Sequence, residues 1–164
     1  MVVAASGLSG LAVAGSYAKR PRELRALRSA LQMLETEITY GATCLPEALV
    51  TVATRSDVLV RPLFKQAGVE LAAMSGVSAA EAWEKALAGY YPTSALKPQD
   101  HAILTNLGRS LGRSDCADQV KHLRLTMEQV TQEAANAEED AARNVKMWSY
   151  LGFLGGLVFV LVAY

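Results

Sequence analysis

The stretch "RLTMEQVTQEAANAEEDAARNVKMWSYLGFLGGLVFVLVAY", Arg124 to Tyr164, changes character halfway along without any break in the chain. Up to Lys146 it is densely charged, and the 18 residues from Met147 to Tyr164 carry no charge at all. From Ser114-Asp115 onward there is no proline and no internal cap. Val120, Leu123, Met127, Val130, Ala134, Ala137 and Ala141 recur at steps of three and four, the spacing of one helix face. The spacing predicts a single helix from Ser114 to Tyr164, soluble in its first part and apolar in its last. A run of 18 apolar residues is about what a helix needs to cross a hydrocarbon core. Trp148, Tyr150 and Tyr164 stand where aromatic side chains settle at the two interfaces. The competing reading, a buried core helix, would normally keep a polar stripe.

The charge distribution extends this reading to the rest of the chain. All 16 Lys and Arg and all 16 Asp and Glu lie between Lys19 and Lys146, so both ends are charge-free. For residues 1–18, "MVVAASGLSGLAVAGSYA", three readings compete: an uncleaved first span, a signal peptide cut near Ala12-Val13-Ala14, and a loose tail. No basic residue precedes the segment, whereas Lys19, Arg20, Arg22, Arg25 and Arg28 follow it. A basic cluster just after an apolar segment is held on the cytoplasmic side, beside anionic lipid, which favours the span. The expected organisation is a transmembrane segment at 1–18, a cytoplasmic helical bundle at 19–146 and a second transmembrane segment at 147–164. Cys44 and Cys116 have no CxxC spacing and read as reduced thiols.

Within the loop the pattern is helical throughout, giving an all-α antiparallel bundle. Leu24, Leu27, Leu31, Leu34 and Ile38 form a seam after Pro21, a residue suited to the first turn of a helix, and Gly41 closes it. Helices are expected at about 46–53, 58–74, 78–87 and 99–111, with Ser78 and Glu81 as a capping box and Glu81 facing Lys85. The segment 89–98 reads as the one long loop. The first and last helices run antiparallel, with Pro21 and Lys146 both near the membrane surface and the leucines covering the alanine face. Gly41–Leu45 and Gly112–Asp118 then form the far tip, where Tyr40, Arg109, Arg113, Asp115 and Asp118 are the candidate partner contacts. Gly152 and Gly156 form a GxxxG, and Ser6 and Gly10 a matching pair of small residues, which suits helix packing in the bilayer or a homo-oligomer.

Several chemistries find no support. No glycine-rich phosphate loop is present, and His101 and His122 have no cysteine or carboxylate at ligand spacing. Nothing near Cys44 marks it as a nucleophile. Net charge is zero, which argues against nucleic acid as a partner. Glu138-Glu139-Asp140 reads as a solvated helix face, with Glu139 set to pair with Arg143. The sequence points to no catalytic residue, no metal and no cofactor.

Taken in order, "KRPRELRALRSALQMLETEITYG", "LPEAL", "AWEKAL", "LTNLGRSLGRSD", "KHLRLTMEQVTQEA" and "LGFLGGLVFVLV" resemble the stage III sporulation protein AB family of endospore-forming bacteria, over nearly the whole chain. The resemblance implies a helical domain similar to the cytoplasmic domains of type II secretion F and type IV pilus platform proteins. It also implies a place in the mother-cell membrane facing the forespore, and a channel complex shared with other membrane products of the same operon. The implied cytoplasmic partner is a secretion-type ATPase, stage III sporulation protein AA. The alternative is a small membrane-anchored adaptor that binds a soluble partner without transmitting force.

Overall fold

A computed structural model of the chain describes residues 2–41, 43–73, 75–113 and 115–164, with side chains from Ala18 onward. The expectations placed on Ser6 and Gly10 lie outside the side chains so described. Among the described residues the elements are α1 (Val2–Tyr40), α2 (Leu45–Arg55), α3 (Arg61–Ala72), α4 (Ala79–Tyr90), a 3-10 turn (Tyr91–Thr93), α5 (Pro98–Ser110) and α6 (Cys116–Ala163), with no strand. Each helix packs on the next in the chain, and α6 closes the ring by lying along α1, the most extensive pairing of all.

The helix starts follow local chemistry. Pro46 and Pro62 sit in the first turns of α2 and α3, where a missing amide costs nothing. Ser78 and Glu81 form the capping box: Ser78 Oγ accepts from the Glu81 amide at 3.2 Å and Glu81 Oε2 from the Ser78 amide at 2.8 Å. That arrangement holds the Glu81 carboxyl below its ordinary pKa of 4.5. Asp115 caps α6 by accepting from the Asp118 amide at 3.0 Å. Gly76 and Gly112 have φ of 75° and 73°, values that residues with a Cβ rarely adopt.

Burial follows the seams. Leu24, Leu27, Leu31 and Leu34 are fully enclosed against Leu123, Val130, Ala134 and Ala137 of α6, which together with Phe64, Trp83 and Leu104 form one core. Trp83 is its pivot: the indole donates to the Leu104 carbonyl at 2.8 Å and meets Phe64 edge-on at 5.6 Å. α5 approaches so closely that a Cβ at Gly108 would lie 2.3 Å from Trp83 Cδ1, so only glycine fits there.

Four expectations need correction. Pro21 does not open a helix but lies inside α1. An internal proline costs about 3 kcal/mol or more, and packing of the leucine seam on α6 together with the anchoring of Arg20 offsets it. Segment 89–98 is not a long loop, because α4 continues to Tyr90 and the 3-10 turn takes the next three residues, leaving 94–97. Lys85 pairs with Glu70 of α3 at 2.9 Å rather than with Glu81, whose carboxylate is occupied by the cap. Finally, Pro21 and Lys146 are not level. α1 and α6 run antiparallel, so the pair of Arg20 with Glu133 sets Pro21 beside about 132 and the pair of Arg25 with Glu138 sets it beside about 142. Lys146 lies about 4 to 14 residues further on, about 6 to 21 Å along the helix axis.

Candidate functional site

The part of the molecule next to the apolar segment is held by buried charge. Arg20 from α1 forms a two-pronged pair with Asp100 of α5, Nε to Oδ2 and Nη2 to Oδ1, both at 2.8 Å. Its Nη2 also reaches Glu133 of α6 at 2.9 Å. Side-chain exposures of 6% for Arg20 and 1% for Asp100 show that water does not compete for these bonds. The Asp100 hydrogen bond raises the Arg20 pKa further, so the guanidinium stays charged throughout the working pH range. Asp100 completes its shell by accepting from the Lys97 amide at 2.9 Å, and Gln99 adds a bond to Glu133 at 3.2 Å. Arg20 was expected among the basic residues flanking the membrane; here it is enclosed in the bundle. Lys19, Arg22, Arg25 and Arg28 are exposed.

A second polar knot lies one turn further along α1. Glu23 is 1% exposed and accepts from the Tyr90 hydroxyl and, at 2.9 Å, from the Ala95 amide. Burial and the Glu23 hydrogen bond push the Tyr90 hydroxyl far above its ordinary pKa. The two knots join α1, α5, α6 and the end of α4 at one height. Sequence reasoning missed them, yet a signal was present. Arg20 precedes Leu24, Leu27 and Leu31 at steps of 4, 3 and 4, and Asp100 precedes Leu104, Leu107 and Leu111 at 4, 3 and 4. A charge in phase with a buried stripe is a charge that must find a buried partner.

At the other end, Cys116 Sγ donates to the Ile38 carbonyl at 3.6 Å, which brings the end of α1 and the start of α6 together. Gly112 sits against Ala79, so the start of α4 joins the same end. Tyr40, Arg109, Arg113, Asp115 and Asp118 therefore gather at the end remote from the apolar segment, and all five are exposed, Tyr40 at 85%. Asp115 has a structural duty as well, the cap of α6. Cys44 and Cys116 are exposed free thiols at this end.

The last feature is the projecting part of α6. The helix is 48 residues long, and its apolar window is wholly unburied while having the length and hydropathy to cross a membrane. A core helix would be covered; this one leaves the bundle. Among the described residues, nothing approaches a Cβ placed at Gly152, Gly155 or Gly156 within 4 Å. Glu139 pairs with Arg143 at 2.5 Å, as the spacing predicts.

Among the described residues, a helical bundle whose last helix continues outward as an exposed apolar rod, cross-braced by buried charge near its exit, defines a class: a compact domain carried on a helix suited to a membrane. The chain belongs to the stage III sporulation protein AB family, whose model matches residues 1–164. It is 38% identical over 161 residues to the stage III sporulation protein AB of Bacillus subtilis (strain 168), covering 98% of this chain and 94% of that one. A solved structure of stage III sporulation protein AB superposes with a TM-score of 0.71 at 36% identity, covering 76% of this chain and 97% of that one.

Proposed function

We propose that this chain is a membrane platform in sporulation, coupling a cytoplasmic secretion-type ATPase, stage III sporulation protein AA, to the membrane components of a channel complex between mother cell and forespore. The helical domain would lie in the mother-cell cytoplasm and the 147–164 segment in the membrane facing the forespore. The observation that carries the reading is α6 itself: one helix from Cys116 to Ala163, gripped by α1 and α5 over its first part and bare over its last. A displacement of the bundle is transmitted along such a helix, because bending it breaks backbone hydrogen bonds. Exposed Arg109 and Arg113 at the remote end, with Tyr40 beside Asp115 and Asp118, offer the ATPase a charged landing surface.

A flexible Gly-Ser-Gly-Ser insert between Lys146 and Met147 tests this. The insert keeps the tether and removes the stiffness. The reading expects the chain to remain in the membrane and to bind the ATPase while sporulation fails. Normal sporulation with the insert would favour the adaptor reading instead. Charge reversal at Arg109 and Arg113 is expected to weaken ATPase binding, and unchanged binding would remove the remote end as the contact.

A further inference from the structure

A groove runs along the flank of α1 facing the α2–α3 turn, from Arg22 to within one turn of the remote end. Its first compartment has a volume of about 310 Å³, with Arg22, Arg25 and Arg55 on the rim and Ala26, Met33 and Leu59 beneath. A second compartment of about 290 Å³ shares Ser29, Met33 and Arg55 with it and continues to Glu37. Together they follow α1 from Arg22 to Glu37, about 22 Å at 1.5 Å per residue, enough for a helix of about 15 residues.

The chemistry of the lining is uneven. Ala26, Met33 and Leu59 are half-buried apolar side chains packed on the core, and a methionine can reshape to fit an apolar stripe. Arg22 is exposed and makes no ion pair among the described residues. Arg55 is 68% exposed with only a 3.5 Å contact to Glu37, and Arg25 is paired at the surface with Glu138 of α6. The one carboxylate of the first compartment, Asp57, is engaged by the Leu59 amide at 2.9 Å. An apolar floor beneath a basic rim takes an amphipathic helix with acidic flanks.

The α1–α6 register argues for a protein rather than a lipid. Arg22 lies beside about 131–141 of the antiparallel α6, about 8 to 22 Å before Lys146, and the groove runs about 22 Å further from the apolar segment, to Glu37. The headgroup layer on one side of a bilayer is only about 5 to 8 Å deep. We infer that the α1 groove is a docking site for an acidic amphipathic helix of a partner protein, seated on Met33 and held by Arg22, Arg25 and Arg55.

The test uses the full chain in phosphatidylcholine nanodiscs and a fluorescein-labelled 15-residue helical peptide with a leucine stripe flanked by glutamates. Saturable binding that weakens with salt is expected. The double variant Arg22→Glu, Arg55→Glu should lower affinity about 10-fold or more, and should bind the lysine version of the peptide better than the wild type does. Far-ultraviolet circular dichroism checks that the variant is folded; should it not be, Arg55→Gln alone is expected to cost about 3-fold. Unchanged affinity in the folded variant overturns the inference. So does binding of phosphatidylglycerol vesicles, but not of the peptide, with the same loss on reversal, since that would assign the groove to lipid. Because the readout is peptide binding, the result stands apart from the ATPase reading.

Discussion

The two ends of the bundle are held by different means. Near the apolar rod, α1, α5 and α6 are bound to one another by Arg20, Asp100 and Glu133 inside the protein, with Glu23 and Tyr90 one turn away. At the remote end the chain turns on Gly112, the Asp115 cap and a thiol-to-carbonyl contact, and its charged side chains face water. Buried ion pairs are directional and intolerant of displacement, whereas exposed charges adapt. The contrast places rigidity where a helix leaves for the membrane and adaptable charge where a soluble partner can reach it.

The contrast is broken most severely at Arg20. Removing one member of a buried pair leaves the others uncompensated, so Arg20→Met is expected to destabilise the bundle by about 3–5 kcal/mol. Chemical denaturation of the full chain in detergent would measure it. A loss below 1 kcal/mol would mean that the exit is not locked by charge. Tyr90→Phe keeps the ring and removes the hydroxyl that serves Glu23, for an expected cost of about 1–3 kcal/mol in the same measurement. Gly152→Leu with Gly156→Leu should leave bundle stability within about 0.5 kcal/mol of wild type, since among the described residues nothing lies within 4 Å of either position; any defect in the membrane would then report on neighbouring spans.

The smallest effect is a pH dependence at the start of α4. The Glu81 pKa is lower in the folded chain than its ordinary 4.5 because Ser78 hydrogen-bonds the carboxylate. A depressed folded pKa contributes stability above 4.5 that is lost as pH falls through the folded value. Amide exchange at Ala80 to Ala82 should therefore accelerate below pH 4.5 in wild type but not in Glu81→Gln. Equal acceleration in both would detach the effect from the cap.

Much of the fold is legible in the sequence because local rules and global packing agree. The leucine seam of α1, the Ser78–Glu81 box, Gly112 and the uninterrupted pattern of α6 each name their own structure. Pro21 is illegible for the opposite reason: its local preference for a helix start is overridden by tertiary packing on both sides. The height of α1 against α6 is also hidden, because antiparallel seams of period 3 and 4 fit at several offsets. What selects the offset is a set of contacts along the seam, Ile38 with Cys116, Glu35 with Arg124, Arg25 with Glu138 and Arg20 with Glu133. The remote cluster of Tyr40, Arg109, Arg113, Asp115 and Asp118 follows from topology alone. The α1 groove needs α2 and its turn in place, which no spacing within α1 announces.

The central claim is that α6 stays one stiff helix from the bundle through the apolar segment. It is tested most directly by the distance between spin labels at Gln129→Cys and Phe159→Cys in nanodiscs, with the exposed Cys44 and Cys116 changed to Ser. Thirty residues of continuous helix predict a single narrow distribution centred at about 45 Å. A broad distribution, or one centred well below that value, would show a hinge near Lys146 and contradict the account.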